Sequence, residues 1–228
     1  MFTEYRTLPE LKKHFNEKKL PTPSKIFSQV DNNTKAFLNI LKDKNHPQRE
    51  IVKAAMKAGT RAHVAIEKNK AFEKDLLNEA VLETFHKNFS PIIEETWAKE
   101  KGVMSLGSYA GKFDSAGVIN GVPTLWDYKK TNAKKYKSGM TTYFKQLAAY
   151  LQAHNEIYYT KVEQVAVLNI FGKKPEDVNS QIVLLSSEEL SHYSRLFQED
   201  FITSIFEPTV SYVYEYKEYS SLENTSLK

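Results

Sequence analysis

Two carboxylates and a lysine are the residues of this sequence best suited to do chemistry. Asp114 closes the stretch SYAGKFD, and Asp127 lies in TLWDYKKT. Asn120–Gly121 between them has the turn chemistry of a tight hairpin. The two acids therefore fall on adjacent antiparallel strands. Unpaired carboxylates held there would repel each other, and a divalent cation would remove that repulsion. Oxygen ligands at about 2.1 Å in octahedral geometry suit Mg2+ or Mn2+. The main-chain carbonyl of Tyr128 would add a ligand without using a side chain. Lys129 lies two residues beyond Asp127, so strand alternation sends both to one face. An ammonium placed there can hold an attacking water and stabilise charge on a phosphorane. The chemistry implied is hydrolysis of a phosphodiester. The plainer reading of the same letters is a solvated strand end.

Two further stretches weigh in the balance. GTRAHVAIE, Gly59 to Glu67, sits inside a long helical pattern with His63 among Ala62, Val64 and Ile66. A lone helical histidine is more often structural than a ligand. A neutral imidazole added to an oxygen site would tilt it toward Mn2+. Gly59 costs about 1 kcal/mol in a helix interior, and close approach of a backbone or a phosphate would explain it. QLAAY sets Gln146 and Tyr150 one helical turn apart. An amide and a phenol on one face suit either a phosphate contact or a polar stripe.

The elements that must position these residues are legible in outline. Pro9 to Lys19 reads as a short polar helix, and Pro21 and Pro23 hold the next segment extended, with Ser24 as cap of a brief helix carrying Ile26 and Phe27. Phe37, Leu38 and Leu41 have helical spacing. Pro47 opens a long helix from Gln48 to about Asn69, and another runs from Glu73 to about Asn88. Strands follow at IIEETWAKE, GSYAGKFDSAGVI and TLWDYKK, then a helix from Thr141 to about Tyr158. EQVAVLNIF and SQIVLLS are strands, and Ser187 to Phe206 is a helix capped by Ser186 or Ser187 with Glu188 or Glu189 in its first turn. The aromatic–polar tail after it should form a short strand or docked segment and then end in disorder. The order predicts one α/β domain: a mixed sheet with an N-terminal helical cap. The helical part takes residues 1–90, the αβ core 91–206 and the tail 207–228.

Composition bounds the rest. The 228 residues suffice for one ordinary core. Thirty-two Lys+Arg against 28 Asp+Glu give a net charge of +4, too mild for a purely electrostatic DNA coat but compatible with a basic groove. With no cysteine there is no disulfide, thiolate nucleophile or Cys-ligated metal. The N-terminus carries acids and lacks an apolar segment, so a signal peptide is not expected, and no run approaches a membrane span. A cytoplasmic protein, bacterial or in a phage-infected cell, is the expectation.

Taken in order, GTRAHVAIE, SYAGKFD, DYKK and QLAAY resemble the motifs of the RecB-type PD-(D/E)XK nucleases, above all the group of the mitochondrial genome maintenance exonuclease and its phage and bacterial relatives. LPTPSKIFSQV resembles the N-terminal P-S-V-T element of that group, and the likeness runs from Leu20 to Phe206. It implies a restriction-endonuclease-like core and a metal-dependent DNA exonuclease acting on single-stranded ends or flaps. It assigns His63, Asp114, Asp127 and the Tyr128 carbonyl to Mg2+ or Mn2+, and Lys129 to catalysis. Gln146 and Tyr150 match its Q-x-x-x-Y motif, which positions DNA and the lysine. Glu95 is the first choice for the glutamate many relatives carry on the preceding strand, with Glu94 and Glu100 as competitors. Thr22, Ser24, Arg61, Lys130 and Thr131 are its candidate DNA contacts, and Lys134, Lys135 and Lys137 follow in a loop. Lys130 stands where the family usually has Thr or Ser, which displaces Thr131. A monomer working with replication or recombination proteins is the implied setting. The rival readings are a structure-selective or restriction-like endonuclease and a non-catalytic nucleic-acid-binding recombination partner.

Overall fold

The computed structural model describes residues 20–105, 108–158 and 160–206. The Pro9–Lys19 helix and the tail after Phe206 lie outside the described residues. Among the described residues four helices come first: α1 (Pro23–Val30), α2 (Asn32–Lys42), α3 (Arg49–Lys68) and α4 (Leu76–Asn88). Strands β1 (Ile93–Met104), β2 (Ala110–Ile119) and β3 (Val122–Thr131) follow. Helix α5 (Thr141–Ile157) crosses over to β4 (Gln164–Phe171), and β5 (Asn179–Leu184) leads to α6 (Ser187–Phe206). The five strands form one sheet in the order β1-β2-β3-β4-β5. All neighbours are antiparallel except β3 and β4, which run parallel around the α5 crossover. This is the expected α/β architecture, a mixed sheet flanked by helices.

Both faces of the central strands are covered. On one face Leu125, Val165 and Val167 meet Phe144, Leu147 and Ala149 of α5, Phe197 of α6 and Ile26 and Phe27 of α1. On the other, Trp126, Ala166, Leu168 and Ile170 meet Ala62 and Ile66 of α3 and Val81 and Phe85 of α4. Adjacent residues 125 and 126 thus serve opposite cores, as the two-residue strand period requires. Each fully buried Val, Leu, Ile or Phe among them contributes about 1.5–3 kcal/mol from its removal from water.

Local chemistry sets the element ends, with two corrections to the sequence expectation. Helix α1 is capped by Thr22, whose Oγ1 accepts from the Lys25 N–H at 3.2 Å, and not by Ser24. Pro23 has the fixed φ and missing N–H that suit the first helical position, so the helix begins two residues earlier. Helix α4 starts at Leu76, not near Glu73, because Lys74 is left-handed (φ 58°) and the Asp75 carboxylate takes the Asn78 N–H at 3.1 Å. Ser186 and Glu189 form a reciprocal capping box on α6. Asn120 (φ 48°) and Gly121 (φ 75°) close the β2–β3 hairpin as their turn type demands. Among the described residues no helix is long and apolar enough to cross a membrane.

Candidate active site

The β2–β3 ladder runs from Ile119↔Val122 at the turn to Ser115↔Trp126 and stops. The next pair in that register would be Asp114 opposite Asp127. There the backbones part, and the Asp114 carboxylate takes over a ladder bond: its Oδ2 accepts the Tyr128 N–H at 2.9 Å. A strand residue's N–H and C=O point to the same neighbour, so the Tyr128 carbonyl also faces this opening. The Tyr128 ring lies on the opposite face, edge-on to His63 (5.8 Å) and Phe85 (5.6 Å), with its oxygen accepting from Trp126 Nε1 at 2.8 Å.

Helix α3 and strand β1 close the opening. His63 places Nδ1 3.7 Å from Asp114 Oδ2 and Nε2 2.8 Å from Glu100 Oε1. Ligand atoms of His63, Glu100 and Asp114 all lie within 4.8 Å of one another. Glu100 sits between Lys99↔Ser115 and Lys101↔Phe113, so it faces Asp114 across the β1–β2 ladder. Its φ of 52° is left-handed, which is costly for a non-glycine residue inside a strand. That twist carries its carboxylate to His63. The other Glu100 oxygen pairs with the Lys112 ammonium. Lys129 Nζ lies 2.6 Å from Asp127 Oδ2 and 4.9 Å from the centre of the Tyr143 ring. This ion pair is not aligned as a hydrogen bond, and Asp127 Oδ2 is a buried oxygen without a hydrogen-bond partner.

The electrostatics follow from that crowding. Burial, and then the neighbouring Asp127 charge, push the Asp114 carboxyl up to about 8; Lys129 and the Tyr128 N–H oppose the rise. Burial alone would lower the Lys129 pKa, but Asp127 and Asp114 outweigh it and raise the pKa, so the lysine stays an ammonium. Burial raises the Tyr150 phenol, which also feels Asp127 and Lys129. A surplus of crowded carboxylates and an imidazole, beside a buried Asp127 oxygen ion-paired with Lys129, is a donor set that fits a divalent cation. Such an ion would hold His63, Glu100 and Asp114 together.

The Q-x-x-x-Y pair is also in place. Gln146 Nε2 donates to Tyr150 Oη at 3.1 Å. Gly111 explains part of SYAGKFD: a Cβ there would stand 2.5 Å from Tyr150 Cε1, so only glycine lets the ring approach β2.

Other expected residues lie elsewhere. Glu95 is exposed, and its carboxylate accepts from Trp97 Nε1 at 2.7 Å. The glutamate at the cluster is Glu100; Glu94 is exposed like Glu95. Register irregularities between Ile93 and Glu95 and between Thr96 and Ala98 undo simple counting along β1. Arg61 is engaged twice by Asp75, at 2.7 and 2.8 Å, and stacks on Phe72. Lys130 points away from Asp127 and Lys129 and donates to the carbonyls of Thr131 (2.9 Å) and Gly172 (2.5 Å). Burial lowers its pKa. The Thr131 hydroxyl lies 2.8 Å from Ala133 O and 3.0 Å from Asn169 Oδ1. Thr22 and Ser24 are exposed at the start of α1, Thr22 serving as cap. Lys135 donates to Tyr143 Oη, and Lys137 pairs with Glu189 at 2.5 Å. The sequence reading did not single out Lys112. Its signal was the K-x-D spacing on β2, the mirror of D-x-K on β3.

No family model matches the chain, and no curated protein matches it. Solved structures do. An exonuclease candidate from Eubacterium rectale superimposes over 87% of this chain and 86% of its own, with 11% identity and a TM-score of 0.50. The likeness is one of fold. An alkaline exonuclease from Laribacter hongkongensis, LHK-Exo, aligns over 93% of this chain and 99% of its own, with 10% identity and a TM-score of 0.44.

Proposed function

We propose that this chain is a divalent-metal-dependent deoxyribonuclease of the RecB-type PD-(D/E)XK kind, trimming single-stranded DNA ends or flaps. The observation that carries the reading is the cluster at the parted β2–β3 end: His63, Glu100 and Asp114 beside the Asp127–Lys129 pair. The exonuclease-candidate name of the Eubacterium rectale neighbour is in keeping with a nuclease that works from ends. In this reading His63, Glu100, Asp114, Asp127 and the Tyr128 carbonyl bind Mg2+ or Mn2+. The ion would supply the Lewis acidity that phosphodiester hydrolysis needs. Lys129, kept cationic by its carboxylates, acts as an electrostatic donor to the phosphate and not as a base. Water attacks phosphorus, the bond to the 3′ oxygen breaks, and that oxygen takes up a proton. The products are a 5′-phosphate and a 3′-hydroxyl. Gln146 and Tyr150 hold the lysine side of the site.

The test is digestion of 5′- and 3′-labelled single strands and duplexes with Mg2+, Mn2+ or chelator, beside a circular single strand. Metal-dependent loss of linear strands with the circle intact is expected. Cleavage of the circle supports the endonuclease reading instead. Asp127→Asn and Lys129→Ala should abolish cleavage while DNA binding stays measurable. Full activity in either variant contradicts the assignment.

A further inference from the structure

The charged end of the hairpin is more symmetric than one catalytic lysine requires. Counting on past the last β2–β3 pair, where the backbones part, would set Asp114 against Asp127 and Lys112 against Lys129. K-x-D on β2 thus mirrors D-x-K on β3, with both lysines on the face of their carboxylates. The two ammoniums differ in surroundings. The Lys129 side chain is 24% exposed, whereas that of Lys112 is 60% exposed and pairs diagonally with Glu100 across β1–β2. An ion pair so open to water is screened by it, so it holds Lys112 loosely.

Glu100 is claimed twice, by the Lys112 ammonium and by the His63–Asp114 ligand cluster. With all three carboxylates ionised and His63 neutral, as metal ligands would be, Glu100, Asp114 and Asp127 against Lys112 and Lys129 leave one net negative charge. A bound divalent ion turns this into one net positive charge, which one phosphodiester neutralises. Without Lys112 the loaded site would already be neutral before the anionic substrate arrived, and negative afterwards.

We propose that Lys112 is a second phosphate-binding lysine, parked on Glu100 in the metal-free protein and freed to contact the DNA backbone when a cation takes Glu100. This rests on the nuclease reading above. Single-stranded oligonucleotide binding in Mn2+ tests it, measured on Lys129→Ala protein, which keeps every proposed metal ligand while avoiding cleavage, and repeated over a salt series. Adding Lys112→Met should weaken binding about tenfold at low salt and flatten the slope of log affinity against log salt by about 0.7, the share of one phosphate contact on a single strand. Lys112→Arg should restore the slope. Mn2+ affinity without DNA, from calorimetric titration of Lys112→Met, should be unchanged or tighter, because a competing cation is gone. An unchanged salt slope overturns the proposal. So does weaker Mn2+ binding, which would make Lys112 a support of the metal cluster. If the unsubstituted protein neither binds nor cleaves DNA, the nuclease reading fails first and this proposal with it.

Discussion

Two lysine–carboxylate pairs of nearly equal length lie in this protein and behave as opposites. Lys145 of α5 meets Asp200 of α6 at 2.5 Å, and Lys129 of β3 meets Asp127 at 2.6 Å. Among the described residues Lys145 is matched by one carboxylate, with the Phe27 ring 5.1 Å from the ammonium. Around Lys129 the carboxylates are in surplus, because Asp114 faces Asp127 where the ladder ends. Distance and burial do not separate the two. The count of neighbouring charges does: a matched buried pair joins elements, whereas a pair beside surplus carboxylate is set to accept another cation.

Substituting each lysine by methionine should break the comparison along that line. Lys129→Met should cost at least about 10²–10³-fold in cleavage, the scale of losing one electrostatic donor. Any loss of thermal stability should be largely recovered by Mn2+, which replaces the missing charge. Lys145→Met should cleave at close to the parental rate well below its melting point. It strands Asp200, whose side chain is 22% exposed, so the cost should fall at or below the low end of the 3–5 kcal/mol typical of breaking a buried pair. Tm should drop about 5–10 °C for a chain of this size, with no extra recovery in Mn2+. Equal metal rescue of both variants, read by thermal melts, would erase the distinction.

The surplus has a pH signature as well. Asp114 titrates near 3.8 when unfolded and at about 8 when folded, so the folded protein holds a proton that the unfolded chain has given up. Metal-free stability should therefore fall as pH rises through that window. Melting curves in chelator should show the unsubstituted protein losing stability relative to Asp114→Asn over this range, and Mn2+ should flatten the difference. A parallel pH dependence of the two proteins contradicts the crowding argument.

The smallest effect concerns Gly59. A methyl group there meets nothing within 4 Å, unlike one at Gly111, so packing does not require glycine at this helix position. Gly59→Ala should stabilise by up to about 1 kcal/mol, read as a Tm rise of about 2–4 °C. A fall in Tm would mean that the backbone there is not free.

Much of this was legible in the letters. The turn at Asn120–Gly121 has one common solution, and it fixed Asp114 and Asp127 as neighbours. Helix boundaries at Asn69 and Ser187 followed from capping and periodicity. Glu100 was named only as a competitor of Glu95, because its position depends on two register shifts and one left-handed residue in β1, none of which alternation reveals. Lys130 was placed on the DNA side on analogy with a hydroxyl, but as the next letter after Lys129 it belongs to the opposite face of β3. The Arg61–Asp75 pair joins residues far apart in sequence, which no local pattern shows.

The central claim is that Glu100, and not Glu95, completes the metal cluster. Calorimetric Mn2+ titration of Glu100→Gln and Glu95→Gln beside the unsubstituted protein measures it directly. Glu100→Gln should bind Mn2+ at least about tenfold more weakly, in line with the loss of a ligand group, while Glu95→Gln should match the unsubstituted protein. Undiminished Mn2+ binding by Glu100→Gln, or its loss in Glu95→Gln, would contradict the account.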